Sequence, residues 1–226
     1  MRFTAVIPAR GGSKGLPGKN IRLINGKPLI VWSIQQALSS RKISRVLVST
    51  DSEEIAQIAK EAGADVPSLR PSELAEDATP TEPVLLHAID HWCQLSDDDV
   101  VILLQPTSPL RLQYSLDMAV DIFVANAADS LVSVCESHAF FWKNPRMPSP
   151  LYDFRNRPRR QDILPESRWY RENGSIYLTK VGLLRSHSNR LGGKIAMHVM
   201  QECESWEIDT EVDFLIVEEL MRRNSL

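Results

Sequence analysis

Short apolar runs alternate along this chain with segments in which apolar residues recur every three or four positions. The runs predict buried strands and the periodic segments predict helices. The predicted strands are Ala5–Ile7, Val46–Val48, a short Ala64–Val66, Val100–Leu104, Ser130–Val134 and Ile195–Met200. The predicted helices are Leu29–Leu38, Ile55–Ala62, Val84–Trp92, Ser115–Asn126, Val181–Ser186 and Phe214–Met221. Because such alternation is typical of parallel sheets, we predict one α/β domain over residues 1–226, a Rossmann-like, mostly parallel sheet flanked by helices.

Polar residues and one glycine mark the predicted helix ends. Asp51 with Glu54 resembles a capping box at the start of the second helix. Gly63 suits the carboxyl end of the same helix. Thr210 with Asp213 predicts the start of the last helix.

Three adjacent carboxylates, Asp97–Asp99, come directly before the strand Val100–Leu104. They would suit either a metal site or a solvated turn at the amino edge of the sheet. We favour the turn, because ligands of such sheets collect at the opposite, carboxyl edge.

Composition narrows the class of protein. The 226 residues are 43% hydrophobic and carry a net charge of −3, so a core is available and nucleic acid is not an expected partner. Cys93, Cys135 and Cys203 are far apart, which is typical of buried thiols in a reducing compartment. We find neither a signal peptide nor an apolar run near the ~20 residues that a membrane span needs. We therefore expect a cytoplasmic protein without a membrane partner.

A glycine-rich, basic loop follows the first strand. Pro8 ends that strand, and the next residues include four glycines and several cations. They are Arg10, Gly11, Gly12, Lys14, Gly15, Gly18, Lys19 and Arg22. Glycines let backbone amides approach a ligand closely, and cations beside exposed amides attract polyanions. The P-loop and dinucleotide patterns do not match, since Asn20 follows Lys19 and no G-x-G-x-x-G is in register. The loop is predicted to bind phosphates in a different way.

The segment Pro8–Asn20, PARGGSKGLPGKN, resembles the nucleotide-binding signature of the acylneuraminate cytidylyltransferases, the CMP-sialic acid synthetases. A second segment, Leu104–Arg111, matches the Leu-Gln-Pro-Thr-Ser-Pro-Leu-Arg signature of the same family. A third, Asn173–Tyr177, nearly repeats its Asn-Gly-Ala-Ile-Tyr strand. The related CMP-Kdo synthetases carry Arg-Leu-Pro in place of Gly15–Pro17 and an acidic Gly-Asp pair in place of the second signature.

This resemblance implies an N-acylneuraminate cytidylyltransferase, which couples CTP to a nine-carbon acidic sugar and releases pyrophosphate for surface polysaccharide or glycan synthesis. The sugar would be an N-acylneuraminate, legionaminate or pseudaminate. Catalysis would depend on Arg10, Lys19 and Asp209. The nucleotide would contact Ala9, Arg10, Gly11, Gly12, Ser13, Lys14, Lys19, Asn20, Arg70, Asp77 and Thr81. The sugar would contact Gln105, Pro106, Thr107, Ser108, Arg111, Arg160, Gln161, Arg171, Asn173 and Tyr177.

Two carboxylates precede the last predicted helix. Glu207 and Asp209 share one face if their segment is extended, and such a pair can hold Mg²⁺ while water and substrate phosphates complete its shell. The alternative is that Asp209 only caps the helix. Members of the family commonly have Asp-Ile-Asp here, so the longer Glu207 leaves its direct contact with Mg²⁺ open.

Residues 137–172 are rich in proline and arginine and show little periodicity. A loop of that length without structure is unusual inside a domain. The resemblance implies a dimerisation arm and a homodimer, in which Arg160 and Gln161 reach the sugar of their own or the partner subunit. A disordered surface loop is the alternative.

Two other functions agree with the same residues. One is transfer of a cytidylyl or uridylyl group to a different acidic sugar or a polyol phosphate. The other is a non-catalytic sensor of nucleotide sugars, which would bind CTP without releasing pyrophosphate.

Overall fold

The computed structural model describes residues 1–13 and 15–223, so Lys14 and residues 224–226 lie outside it. The strands are β1 Phe3–Pro8, β2 Leu23–Ile24, β3 Lys27–Pro28, β4 Arg45–Ser49, β5 Val100–Leu104, β6 Ser130–Ser137, β7 Trp142–Lys143, β8 Ser149–Pro150, β9 Trp169–Lys180 and β10 Ile195–Met200. The α-helices are α1 Leu29–Ser39, α2 Glu53–Glu61, α3 Thr81–His91, α4 Ser115–Ala125, α5 Val181–His187 and α6 Glu211–Arg223.

A six-stranded sheet in the order β10-β6-β9-β5-β1-β4 forms the centre of the molecule. β1 is parallel to both β4 and β5, and β10 is parallel to β6. β9 is antiparallel to its two neighbours, β5 and β6. The predicted mixed α/β fold with a mostly parallel, helix-flanked sheet is therefore confirmed.

Helices cover the two faces of the sheet. On one face α1, α2 and α4 pack their apolar sides, including Ile34, Ile55 and Phe123, against the strands. On the other face α3 and α5 do the same with Ile89 and Leu184. The central strands are consequently buried on both sides, which is why they read as uninterrupted apolar runs.

A third apolar cluster lies beside the glycine-rich loop. Phe214 and Val217 of α6 pack there with Leu16 of the loop and with Ile208. This cluster holds the segment before α6 close to the loop after β1, although the two lie near opposite ends of the sequence.

Two sequence predictions that concern segments beside β4 need correction. Ser52, not Asp51, caps α2, because the Ser52 Oγ accepts a hydrogen bond from the amide of Ile55. The predicted short strand Ala64–Val66 is reduced to an isolated bridge between Asp65 and Leu47.

The carboxylates before β5 lie at the amino edge, as predicted, but they are not all solvated. Asp99 is buried and accepts hydrogen bonds from the Arg2 amide and guanidinium. Burial alone would raise the pKa of Asp99, but the hydrogen bonds from Arg2 and Ser96 outweigh it and leave that pKa well below its usual range. The pair fastens the start of β1 to the turn before β5.

Residues 138–168 leave the sheet between β6 and β9. The two strands pair out to Ser137 and Trp169, with a register shift between Val132 and Val134. Beyond them the chain forms the small β7–β8 hairpin and two single 3₁₀ turns. No helix in the described ranges combines the length and apolar character that a membrane span needs.

Candidate active site

A cavity of about 630 Å³ opens at the carboxyl ends of β1 and β5. Its walls come from the glycine-rich loop, the loop before α3, the segment after β5 and the segment before α6. The site residues predicted from sequence that line it are Arg10, Ser13, Lys19, Asn20, Arg70, Asp77, Thr81, Gln105, Pro106, Thr107, Glu207 and Asp209.

The glycine-rich loop is held in place by its own residues and by β4. The amide of Ala9 donates to the carbonyl of Ser49, and Asn20 Nδ2 donates to the Arg10 carbonyl at 3.0 Å. The amide of Gly11 donates to Asp51 Oδ1, also at 3.0 Å. Asp51, which the sequence suggested only as a helix cap, therefore orients the loop. Its position directly after β4, at the ligand-binding edge, is the signal from which such a role could have been predicted.

Two arginines stand on the side of the cavity nearest α3. Arg10 Nη1 lies 2.7 Å from Asp77 Oδ1. Arg70 is buried, and its guanidinium lies 3.7 Å from Asp51 Oδ1. Burial lowers the pKa of Arg70, with Arg10 acting in the same direction and Asp51 against it. Both arginines line the cavity, and their charges favour an anionic ligand in it.

Lys19 connects the loop to the segment before α6. Its Nζ donates to the carbonyl of Ile208 at 2.7 Å and to Asp209 Oδ1 at 3.1 Å. The loop also touches this segment through Gly15, where an added Cβ would lie 2.8 Å from the Asp209 carbonyl oxygen. A side chain at residue 15 would force the two segments apart, which accounts for a glycine there.

The helix cap before α6 belongs to Thr210. Its Oγ1 accepts from the Asp213 amide at 3.2 Å, and its own amide donates to Asp213 Oδ2 at 2.8 Å. The predicted Thr210–Asp213 cap is thus confirmed. The carboxylate of Asp209 does not cap the helix; it is 71% exposed in the cavity and pairs with Lys19.

Glu207 lies deeper than Asp209, in a cradle made by β9 and the segment after β5. With its amide oriented to donate, Gln105 Nε2 reaches Glu207 Oε1 at 3.3 Å and the Gly174 carbonyl at 2.9 Å. Gly174 has φ +63°, and an added Cβ there would lie 1.7 Å from Glu207 Oε1. Burial, and next the charge of Asp209, raise the pKa of Glu207. A partly buried carboxylate beside a second carboxylate is a suitable place for a cation.

Several predicted sugar residues are closed off from the cavity within this chain. Arg111 is only 1% exposed, and Ser108 and Asn173 are completely buried. Asn173 accepts from Ser133 Oγ at 2.6 Å and donates to Ser205 Oγ at 3.1 Å. These three side chains have almost no exposed surface in this chain, and their contact with the sugar stays a prediction.

Tyr177 is also buried, and its hydroxyl donates to Glu172 Oε2 at 3.0 Å. Burial, together with the charge of Glu172, raises the pKa of Tyr177 to about 12. Within this chain Glu172 therefore holds the hydroxyl, and the contact of Tyr177 with the sugar stays a prediction.

The remaining predicted residues lie elsewhere. Ala9 is buried under the loop, and Gly11 and Gly12 belong to the loop without forming the cavity wall. Lys14 lies outside the described residues. Arg160 lines a separate cavity of about 360 Å³ within residues 136–169, and Gln161 is its exposed neighbour. Arg171 is exposed, and its charge acts on Glu207.

A mostly parallel α/β sheet, with a glycine-containing basic loop beside a cavity at its carboxyl edge, is the arrangement of a nucleotide-binding protein. The model of the family described as cytidylyltransferase matches residues 4–139, more than half of the chain. The CMP-N,N'-diacetyllegionaminic acid synthase of Legionella pneumophila is 38% identical, over 99% of this chain and 98% of that one. The chain belongs to the cytidylyltransferase family, and so to the nucleotidyltransferases.

Other relatives differ in how much of their length is matched. The N-acylneuraminate cytidylyltransferase of Oncorhynchus mykiss is 35% identical over 98% of this chain, which spans about half the length of the fish enzyme. A solved structure of CMP:2-keto-3-deoxy-manno-octonic acid synthetase complexed with CTP superimposes with a TM-score of 0.75, over 99% of this chain and 100% of that chain. With 20% identical residues, that likeness shows the fold.

Proposed function

We propose that this protein joins CTP to a nine-carbon acidic sugar of the sialic or legionaminic type and releases pyrophosphate. The observation that carries the proposal is that three cations, Arg10, Lys19 and Arg70, face the same cavity as the carboxylates Glu207 and Asp209. The relatives named above for CMP-legionaminic acid and N-acylneuraminate support this substrate class.

Charge neutralisation is the first task of such a site. CTP carries roughly four negative charges and the sugar brings a carboxylate, so their approach is opposed by repulsion. Lys19 and Arg10 stand on opposite arms of the glycine-rich loop and would hold the triphosphate between them. Arg70 and Thr81 would lie toward the base. Phosphoryl-type transfer depends mostly on such positioning and charge stabilisation.

The bond changes follow from the substrates. The anomeric oxygen of the sugar attacks the α-phosphorus of CTP, the bond from that phosphorus to the bridging oxygen breaks, and pyrophosphate leaves. The hydroxyl proton passes to water. Gln105, Pro106 and Thr107 would line the acceptor side of the cavity, and Lys19 would stabilise the charge that develops on the phosphates.

Mg²⁺ fits the oxygen ligands before α6. Asp209 offers an exposed carboxylate and Glu207 a partly buried one whose raised pKa would be lowered by a cation. The described residues contain no group of three or more His, Cys, Asp or Glu side chains placed to hold a metal, so substrate phosphates and water would complete the shell. When bound, Mg²⁺ would lower the pKa of the attacking hydroxyl and offset negative charge on the phosphates.

A homodimer is proposed from exposed apolar surface. Residues 137–172 leave Phe141, Trp142 and Phe154 between 41% and 52% exposed. The outer face of the edge strand β10 exposes Ile195, Met197 and Val199 by about half. Apolar surface of this extent typically marks an interface, and a second copy of the chain is the proposed partner. We expect the enzyme to work in the cytoplasm, where CTP is present.

A panel of sugars and nucleotides tests the substrates. Purified protein with Mg²⁺ would be given CTP, UTP or ATP and each of N-acetylneuraminate, legionaminate, pseudaminate and Kdo, with products identified by mass. We expect a CMP-sugar from CTP and a nine-carbon sugar. Comparable turnover with UTP or ATP would argue for the alternative transferase, and CTP binding without product would argue for a sensor.

A further inference from the structure

Arg111 follows the segment after β5 and is buried beneath the wall of the cavity. Its Nη1 donates to Ser33 Oγ at 2.9 Å and to Gln36 Oε1 at 3.2 Å. Its Nη2 donates to the carbonyls of Gln105 and Ser175, both at 2.7 Å. Within the described residues, these four acceptors are all neutral, so the buried charge touches no carboxylate.

A buried guanidinium bound to neutral groups is unfavourable for folding, because burial removes a full charge from water. Burial lowers the pKa of Arg111 to about 9, and the charges of Glu204 and Glu207 oppose that effect. The chain therefore keeps a costly cation at this position, in the field of two carboxylates, the buried Glu204 and the partly buried Glu207 of the cavity.

The two carbonyls that accept hydrogen bonds from Arg111 Nη2 belong to residues at or next to the surroundings of Glu207. Gln105 is the residue whose side-chain amide reaches Glu207 Oε1. Ser175 follows Gly174, whose backbone lies against the same carboxylate. By binding both carbonyls, Arg111 Nη2 fixes the distance between the two parts of the cradle around Glu207, which are the segment after β5 and strand β9.

The other side of the guanidinium is anchored to α1. Gln36 accepts from Arg111 and also donates to the carbonyls of Pro109 and Arg111, at 2.7 and 3.2 Å. The next amide in the chain, that of Leu112, donates to Glu204 Oε1 at 2.9 Å. Arg111 thus links the Gln105 end of this segment to β9, while hydrogen bonds to Gln36 of α1 and to Glu204 hold the end at Leu112.

We propose that Arg111 is a positioning residue for the acceptor side of the reaction: its guanidinium locks the Gln105 segment to Gly174 and Ser175 of β9 and so fixes Glu207 and the Gln105 amide in the cavity wall. This inference rests on the proposed function for its substrate. Lysine cannot replace the fork, because an ammonium group is a single point of attachment without the planar, two-sided geometry of a guanidinium.

The test compares Arg111→Met and Arg111→Lys with wild type. Methionine keeps an unbranched apolar stem and removes the charge and the donors. We expect kcat/KM for the sugar to fall about 10- to 100-fold in both variants, as for other residues that orient ligands of a site. The dissociation constant for CTP, measured without sugar, should stay within about twofold, because Arg10 and Arg70 are not attached to Arg111.

A second readout does not depend on turnover. Hydrogen exchange of peptides covering residues 104–110 and 172–176 should become faster in Arg111→Met, while exchange in β1 and α2 stays unchanged. Arg185→Met is the matched control, since Arg185 also makes several hydrogen bonds, to Asp90 and Asp97, but lies at the opposite edge of the sheet. It should leave both exchange at those peptides and sugar kinetics unchanged.

Unchanged sugar kinetics and exchange in a folded Arg111→Met protein would overturn the proposal. Equal losses for CTP and sugar with faster exchange throughout would overturn it as well, because they indicate general destabilisation. If Arg111→Met does not fold, Gln36→Met, which removes one acceptor of Arg111, must show a smaller but still sugar-selective loss. Failure of wild type to make a CMP-sugar would instead contradict the proposed function. The hydrogen-exchange result would still test the positioning role of Arg111, because it does not depend on turnover.

Discussion

Two acidic residues that are two positions apart in sequence, Glu207 and Asp209, lie in different surroundings. Asp209 is exposed and pairs with Lys19, whereas Glu207 is enclosed by Gln105 and Gly174. The difference decides what each can do. An exposed carboxylate can exchange Lys19 for a metal and phosphates, while an enclosed one has its position fixed before the substrates arrive.

Asp209→Asn separates chemistry from stability. We expect turnover to fall about 100-fold or more, because a metal ligand contributes several kcal/mol of charge stabilisation. The melting temperature should stay near that of wild type, since Thr210 and not Asp209 caps α6. Thr210→Ala is the matched control and should lower stability by about 1 kcal/mol while retaining most activity. An Asp209→Asn protein that melts early but turns over normally would remove Asp209 from the reaction.

Asp99 gives a pH-dependent prediction. The pKa of Asp99 is depressed in the folded protein, so its contribution to stability is present above the unfolded pKa of about 3.9 and is lost as the pH falls toward the folded value. Asp99→Asn should therefore lower the free energy of unfolding by about 1.5–3 kcal/mol at pH 7, the range for hydrogen bonds to a charged group.

Chemical denaturation at several pH values measures this effect. The difference between wild type and Asp99→Asn should shrink steadily below about pH 4. A difference that stays constant down to about pH 2 would mean that the ionised carboxylate is not the source of the stability.

At the scale of elements, the sequence predicted best where burial alone decides the structure. β5 matches its predicted bounds, because an apolar run in a covered sheet leaves few alternatives. The bounds of β10 are also matched, although one face of this edge strand is exposed. The antiparallel direction of β9 was not predicted, since it depends on which strands it meets after the long excursion of residues 138–168. Ala64–Val66 failed as a strand because only one residue of it reaches β4.

In the candidate site, too, some residues could be predicted from the sequence and others could not. Loop residues such as Lys19 could be predicted because a run of glycines and cations directly after a first strand is typical of a phosphate-binding loop. Arg111 and Asn173 were assigned to the sugar because they belong to the matching motifs, but a motif does not say which of its side chains face the cavity. Their burial follows from contacts with Ser33 and Ser133, which lie far away in sequence.

Close contact between β9 and Glu207 yields a prediction at Gly174. Gly174→Ala should reduce both activity and stability strongly, because the new methyl group would overlap the Glu207 carboxylate and the backbone has a positive φ. Gly26→Ala is matched for backbone strain, with φ +81°, but has open space around it. It should cost only the strain, about 1–2 kcal/mol, without loss of activity. Equal effects of the two variants on turnover would contradict the cradle around Glu207.

For the whole molecule, the state of assembly is the main prediction. The exposed aromatic side chains of residues 137–172 and the apolar outer face of β10 predict a dimer. Light scattering after size-exclusion chromatography should give twice the mass of the 25.5 kDa chain. Charged substitutions on β10, Met197→Glu with Val199→Lys, should yield monomer, whereas the same pair of charges at the exposed Met118 and Val124 of α4 should not. A wild-type monomer at micromolar concentration would contradict the prediction.

The most direct test of the central claim measures both products of one reaction together. Pyrophosphate release and CMP-sugar formation would be followed in the same sample, with CTP, sugar and Mg²⁺ each omitted in turn. We predict that both products form at the same rate and in equal amounts, and that each omission abolishes both. Pyrophosphate released without the sugar, or CTP bound with neither product formed, would contradict the assignment of this cavity to cytidylyl transfer.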